Sequence, residues 1–532
     1  MNFYKNHFKH LLSSASLLFY LLVFIIPSQL SAQQNIRQDA VQNAPKREFR
    51  GVWVASVANI DWPSSQGLTS MEQQQEFREL VAFHKANGMN ALMVQVRPNG
   101  DAFYDSPFEP WSRWLTGKEG KAPDPYYDPL EFMVKECRQQ QMELHAWINP
   151  FRAIFGGDTT ALDSSHIYFR FPDWVVSYGK HAYLDPGIPS VRDFVRNVIM
   201  DVVYRYDIDG VHFDDYFYPY KIDTLAFPDS TSFATYGEGF DSIDDWRRHN
   251  INSFIQAVHD SIEAIKPEVK FGVSPFGVWR NRDKDPLGSD TQAGQTAYDD
   301  LYADVRLWLK NGWIDYVVPQ IYFSIGYPPA DYEKLLDWWS RNTFGRQLYI
   351  GQAAYKVNNN HDKRWINPSQ IPDQIRLNRT TAQVDGSVYF SARSFTKNPL
   401  QLNEILRQSF YRYPALVPDM PWNTAGKPAP APPQNLKAAR NGHQVLLQWE
   451  GNIHEDIRYY IIYREEGKKL PKLHDSAFII GKSYYPQFAF EEKGRGLFRK
   501  KHTFVVTAVG KDGQESFHSE RVQLRLHPGE NP

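Results

Sequence analysis

The sequence predicts a (β/α)8 TIM-type barrel of the α/β class over residues 47–425, followed by an all-β sandwich. Three observations carry this reading. Eight short, continuously apolar runs alternate with helical patterns, as in a parallel sheet covered by helices. Polar and aromatic residues gather where those runs end, as they do around a barrel mouth. No glycine-rich phosphate loop follows any run, which disfavours the doubly wound open sheet.

Residues 1–32 read as an export signal: Lys5, Lys9 and His10 precede the apolar stretch Leu11–Pro27, and Ala32 supplies a small residue before Gln33. No cysteine stands there for lipid attachment, and residues 33–46 are polar enough to expect a disordered lead-in. The eight strand candidates are Phe49–Ser56, Ala91–Arg97, Glu143–Asn149, Gly210–Asp215, Lys270–Pro275, Tyr316–Tyr322, Leu348–Ala354 and Ser387–Ala392. Helical stretches between them include Met71–Asn87, Val191–Tyr206, Asp245–Lys266, Tyr298–Lys310, Asp331–Asn342 and Pro368–Thr380. Residues 426–433 form a proline-rich linker expected to be stiff and extended. Beyond it, Gln444–Trp449, Tyr459–Tyr463 and His502–Ala508 read as short strands. With Trp449 as the expected core tryptophan, residues 434–527 resemble a fibronectin type III domain.

The composition excludes several classes. A net charge of −2, from 59 basic and 61 acidic residues, gives no reason to invoke nucleic acid or an anionic membrane surface. A single cysteine, Cys137, allows neither an internal disulfide nor a cysteine metal cluster and reads as a small buried helix residue. Aromatics reach 15%, with Trp53, Trp111, Trp114, Trp147 and Trp279 at or just beyond strand ends, which suits a cleft that stacks on sugar rings. The expected partner is therefore a polysaccharide, with no cofactor and no stable membrane span after signal cleavage. A metal is not expected, because His145 and His212 with one aspartate make a poor ligand set.

The central stretch is Asp209–Pro219, in which a buried strand ends in Asp214, Asp215, Tyr216 and Tyr218. Adjacent carboxylates raise one another's pKa, which is how a general acid near neutral pH is made. The other strand ends add Arg97, Asp101 and Tyr104; His145, Trp147 and Asn149; and Gln320 and Tyr322 as candidate substrate contacts. Arg97 suits a substrate carboxylate, the orientation of Asp214, or a purely structural pair. The seventh strand carries no carboxylate, which argues against an enzyme nucleophile. Two routes remain: attack by the substrate's own 2-acetamido group, or inversion using a loop acid such as Glu109, Asp101 or Asp61.

Arg50–Val54, Gln95–Tyr104, His145–Pro150, Leu184–Gly187, Asp209–Tyr216 and Pro319–Tyr322, in this order across residues 46–420, resemble the glycosyl-hydrolase-like family ten. That family comprises exported barrels and includes a divisome-localised hydrolase of peptide-free peptidoglycan glycan strands. The resemblance implies an exported glycosidase of the periplasm, the cell envelope or the medium, acting on N-acetylated glycan. It implies Asp214 and Asp215 as functional carboxylates, with Arg97, Asn149 and Gln320 in the cleft. Asp215 is taken as the general acid and Asp214 as the group steering the acetamide, although one residue of strand register exchanges their faces. The rivals are a glycan-binding barrel without catalysis and an inverting hydrolase of another polysaccharide.

Overall fold

The structure, a computed structural model, describes residues 44–451, 457–492 and 499–527. The expected export segment lies outside the described residues, as do residues 33–43 of the lead-in. The last residues of that lead-in are not loose. Ala44 accepts a hydrogen bond from Ser476 (3.1 Å) and Lys46 pairs with Glu515 (2.5 Å), so the chain is already held against the sandwich.

Eight parallel strands close into a barrel: β1 (Phe49–Val54), β2 (Ala91–Arg97), β3 (Glu143–Ile148), β4 (Gly210–Phe213), β5 (Lys270–Val273), β6 (Tyr316–Val317), β7 (Gln347–Gln352) and β8 (Gly386–Tyr389). Each corresponds to a run read from the sequence, but several stop short of its expected end. At β6 the ladder gives way to isolated bridges, Phe276 to Gln320 and Gln320 to Gly351. These upper residues turn over the mouth, which frees their side chains for it.

The surrounding helices include α1 (Ser70–Ala86), α2 (Pro129–Gln139), α3 (Pro189–Arg205), α4 (Ile243–Ile265), α5 (Val305–Asn311), α6 (Tyr332–Ser340) and α7 (Gln370–Thr380). Thr69 and Glu72 form a capping box at α1, and Asp128 caps α2 ahead of Pro129. Cys137 is buried in α2, as its pattern suggests. The helix expected over Tyr298–Lys310 is instead broken: Tyr302 takes φ 55°, and Asp304 caps a fresh start at Val305. Between β3 and α3 a small antiparallel sheet of Arg152–Ile154, His181–Leu184 and Val175–Tyr178 rises on the mouth side.

Aliphatic residues fill the layer between strands and helices, whereas the barrel interior is aromatic and polar. Phe49, Trp53, His145, Trp147, His212, Tyr316 and Tyr349 crowd into it, made possible by glycines on neighbouring strands. A Cβ on Gly210 would lie 2.5 Å from the His145 ring, and one on Gly272 would lie 2.2 Å from the Tyr316 ring. Both large rings occupy space that only a missing side chain leaves free.

The buried polar groups form one chain along the axis. Trp53 Nε1 donates to His212 Nε2 (3.0 Å), so the proton of this imidazole, whose pKa burial pushes far down, sits on Nδ1 and is donated to the Tyr316 hydroxyl (3.1 Å). Tyr316 passes its hydrogen to His145 Nδ1 (2.8 Å), and His145 Nε2 donates to Glu143 (3.0 Å). Lys270 closes the floor on Glu143 at 2.7 and 2.9 Å. Burial opposes the Glu143 charge, yet Lys270 and His145 hold its pKa well below the ordinary range. Every link has one donor and one acceptor, which is what keeps the burial of these groups tolerable.

The C-terminal region is mostly antiparallel sheet. It contains β9 (Gln434–Asn441), β10 (Gln444–Glu450), β11 (Ile457–Glu466), β12 (Ile479–Ser483), β13 (Gln487–Glu491), β14 (Lys500–Gly510) and β15 (Val522–Leu526). One sheet runs β9-β10-β13 and the other β12-β11-β14-β15, with Trp449, Tyr460, Ile462 and Phe504 between them. The second sheet's outer face, with Tyr459, Ile461, Tyr463, Val505 and Val509, packs against Leu416 at the barrel floor. Arg458 pairs there with Asp207 (3.7 Å) and Asp209, and Lys511 pairs with Asp207 (3.4 Å). Half-buried Lys482 donates to the carbonyls of Ala415 (3.3 Å) and Gln141 (3.4 Å). The proline-rich segment thus leads to a docked sandwich, seated opposite the mouth.

Replacing Tyr316 by Phe leaves His212 Nδ1–H and His145 Nδ1 without partners in a site closed to solvent. The expected cost is about 1–3 kcal/mol of stability, read as a lower midpoint in guanidinium unfolding. An unchanged midpoint would contradict the continuous chain.

Candidate active site

Above the axial chain, strand alternation brings Asn149, Asp214, Ser274 and Gln320 round the mouth from β3, β4, β5 and β6. Asp214 continues the inward face of His212. Asp215 follows the last paired residue, Phe213, and turns over the rim, so the two neighbouring carboxylates diverge.

Asp214 leans towards β3. Its Oδ2 accepts from Trp147 Nε1 (3.0 Å) and Asn149 Nδ2 (3.2 Å), and its Oδ1 accepts from the Tyr216 backbone N–H (3.3 Å). Asn149 is itself fixed, because its Oδ1 accepts from the Arg152 N–H at 3.0 Å. Burial raises the Asp214 pKa, opposed by the Arg152 charge and these three donors. The Arg152 guanidinium lies 4.7 Å from the Tyr216 ring centroid, so it braces the same corner by a cation–π contact.

Asp215 leans the other way. Its Oδ2 accepts a short hydrogen bond from the Tyr220 hydroxyl, and Gln320 donates to it as well as to the Ser274 carbonyl (2.9 Å). Burial and then the Asp214 charge push its pKa up to about 7, against the donors from Tyr220, its own backbone N–H and Gln320. A carboxyl that keeps its proton near neutrality beside one that supplies the negative charge is an acid paired with an electrostatic partner.

The remaining expected site residues divide clearly. Trp147, Asn149, Tyr216 and Gln320 join the aspartates directly. Tyr322 stands edge-on to Trp53 and Tyr355 and takes part in the Asp215 field. Arg97 does not reach Asp214: it is fully buried, forks onto Glu109 at 2.5 and 2.7 Å, and holds the Asn149 and Pro150 carbonyls. Its role is to set the end of β3. Asp101 is buried beside Ser112, Glu109 and Glu119, and Tyr104 packs edge-on against Tyr206, so both have their described neighbours away from the two aspartates. His145 sits two inward positions below Asn149 in the axial chain, out of reach of a substrate hydroxyl. Trp53, Trp147 and Trp279 are all buried, the first two with their indole N–H groups on His212 and Asp214 and the third stacked on Trp338 of α6, so none presents an exposed face to a sugar.

Sequence reasoning missed Tyr220 and Arg152. Both sit close to motifs already singled out, five residues after Asp215 and three after Asn149, but only the folded loop aims them back at the carboxylates. The loop acids proposed for inversion are otherwise engaged. Glu109 is locked to Arg97, and Asp61 accepts from Ala55 N (2.8 Å), Ser391 Oγ (2.8 Å) and Arg393 N (2.7 Å).

A raised carboxyl pKa means that the folded protein binds the proton more tightly than the unfolded chain. The site therefore loses stability as pH rises from the ordinary aspartate range through about 7. Asp215→Asn removes that loss. Its melting temperature should exceed wild type by about 5 °C at alkaline pH and converge with it under acid conditions, measured by calorimetry. A constant difference across pH would show that Asp215 does not titrate abnormally.

Comparisons with known proteins place the chain in a family. A family model described as "Glycosyl hydrolase-like 10" matches residues 48–367. "Glycosyl hydrolase YngK" of Bacillus subtilis (strain 168) is 46% identical over 486 residues, covering 90% of this chain and 93% of that protein. "Glycosyl hydrolase DigH" of Escherichia coli (strain K12) is 36% identical over 386 residues, covering 68% of this chain and 87% of that protein. Among solved structures, the PgaB (BpsB) glycoside hydrolase domain from Bordetella bronchiseptica is 12% identical, with a TM-score of 0.44 over 68% of this chain and 99% of that one. The chain is a glycoside hydrolase and belongs to the glycosyl hydrolase-like 10 family.

Proposed function

We propose that this hydrolase is exported and cleaves β-linked glycan containing N-acetyl sugars, with peptidoglycan glycan strands as the substrate, by a route in which the acetamido group assists. The observation that carries the reading is the divergence of Asp214 and Asp215. One carboxylate is held by three donors, and the other keeps its proton to about pH 7. The apolar segment Leu11–Pro27 supports export, and the seven-strand arrangement supports a fibronectin type III assignment for the sandwich.

In this mechanism Asp215 donates its proton to the glycosidic oxygen as the bond to the anomeric carbon breaks. The acetamido carbonyl oxygen of the same sugar attacks that carbon and forms a cyclic oxazolinium. Asp214, with acceptor capacity left beyond its three donors, takes the acetamide N–H and steadies the positive charge. Asp215, now ionised, removes a proton from the water that reopens the ring, so both acid and base are restored. The strand β7, Gln347–Gln352, offers no carboxylate as an alternative nucleophile, and Glu109 and Asp61 are tied elsewhere.

Peptide-free peptidoglycan strands incubated with the mature protein should yield reducing-end fragments by mass spectrometry, and Asp215→Asn should lower turnover at least about 100-fold. Strand binding without fragments from wild type would sink the hydrolase reading of this substrate, and an inverted product anomer would sink acetamide assistance.

The rate should fall as pH rises through about 7, where Asp215 loses its proton. The Tyr220 hydrogen bond favours the ionised form, so Tyr220→Phe should move that limb to higher pH. A limb that stays in place would remove Asp215 from the acid role.

A further inference from the structure

We infer that a groove on the barrel flank, walled by α2, the end of α3 and the sandwich, is a second glycan-binding site that holds the substrate strand away from the point of cleavage. The inference rests on the proposed function and extends it to a place outside the mouth.

The groove encloses about 550 Å³. It runs along α2 from Asp128 at its mouth end to Gln139 at its floor end, roughly 16 Å of helix. Its lower wall is the turn between β12 and β13, where Tyr485 is 55% exposed and Tyr484 stands edge-on at 4.9 Å. Ser483 Oγ lies within donating distance of the carbonyls of Tyr485 (2.8 Å) and Gln487 (2.6 Å), which ties down the backbone of the turn that carries the Tyr485 ring. Near the upper end, Tyr126 is 62% exposed on the loop between β2 and α2. It packs edge-on against Trp111 at 6.4 Å, and its hydroxyl is tethered to Asp105 at 3.3 Å. Tyr206 links the two ends, donating to Asp128 at 2.6 Å and receiving Arg205 at 3.3 Å.

An exposed aromatic ring in the groove, Tyr485, and a second on the loop beyond its upper end, Tyr126, with hydrogen-bonding groups along the edge, match a chain of sugars, which presents C–H faces and a rim of hydroxyls. Charge argues against other polymers. The lining carries three acids (Asp128, Glu131, Asp207) against three bases (Lys135, Arg138, Arg205), so neither nucleic acid nor an acidic peptide gains a net attraction. The loop bearing Trp111 and Tyr126 belongs to the mouth side, because it follows β2, whereas Tyr485 belongs to the sandwich at the floor. A strand leaving the mouth thus meets aromatic rings on its way down the flank. The sandwich then acts in substrate capture, by raising the local concentration of strand at the mouth.

The test uses the full chain with Tyr485→Ala and Tyr126→Ala, singly and together, on long peptide-free glycan strands and on strands trimmed to the few sugars that fill the mouth. Expected is a loss of about tenfold or more in kcat/KM on long strands, carried by KM, with turnover of trimmed strands retained and Tyr485→Trp restoring the long-strand value. Equal effects on long and trimmed strands, or none on either, would overturn the groove. If wild type cleaves neither, the proposed function fails instead. The groove is then judged by calorimetric binding of long strands to Asp215→Asn with and without Tyr485→Ala, where an unchanged affinity rejects it.

Discussion

The structure depends on a requirement inside the barrel: a column of polar aromatic groups must be fully hydrogen-bonded where no water reaches. Tyr316 is its hinge, accepting from His212 and donating to His145, so two strands on one side of the barrel are tied through a third on the other. Most TIM-type interiors are filled by layers of branched aliphatic side chains. Here the rings of His145 and Tyr316 need Gly210 and Gly272 opposite them, and the column ends on Glu143 and Lys270 at the floor. The floor is in turn sealed by the sandwich, whose Tyr459 and Lys482 lie within the field of Glu143. The mouth inherits its geometry from this column, because Trp53 and Ser274, the last partners of His212, sit directly below the site.

The barrel was legible because its outer layer obeys simple periodicity. Val211 and Phe213, Leu144 and Ala146, and Phe271 and Val273 are all buried against helices, and each gave its run an apolar signature. The strand ends were less legible. Residues such as Pro319–Tyr322 are apolar enough to extend a strand, but they peel away to cover the mouth, and apolarity alone does not distinguish the two. The helix read through Tyr302 failed for a related reason: a single left-handed residue interrupts a pattern whose side chains remain helix-like on both sides.

At the site, the aspartate pair and Trp147, Asn149, Tyr216 and Gln320 could be read because strand ends point to a shared mouth. Arg97, Asp101, Tyr104 and His145 satisfied the same sequence criterion, yet three-dimensional pairing takes them elsewhere. Arg97 and Glu109 show why: a bidentate ion pair between residues 12 apart is invisible as a pair in the sequence, and it removes both from the list of available groups. Strand register had also left the roles of Asp214 and Asp215 interchangeable. Their neighbours differ, Trp147 and Asn149 beside Asp214 and Tyr220 and Gln320 beside Asp215, and the roles proposed for them rest on that difference.

The axial column has a direction. Trp53 can only donate, so each following N–H or O–H points towards the floor, from Trp53 to His212, Tyr316, His145 and Glu143. Bond dipoles aligned in this way add rather than cancel, and their electron-rich end lies under the mouth, with the opposite end compensated by the Glu143 carboxylate. The interior of the barrel thus works as an oriented dielectric whose field favours positive over negative charge at the mouth. In the reaction proposed above, such a field would favour a cation formed at the anomeric carbon, without any axial residue touching the sugar.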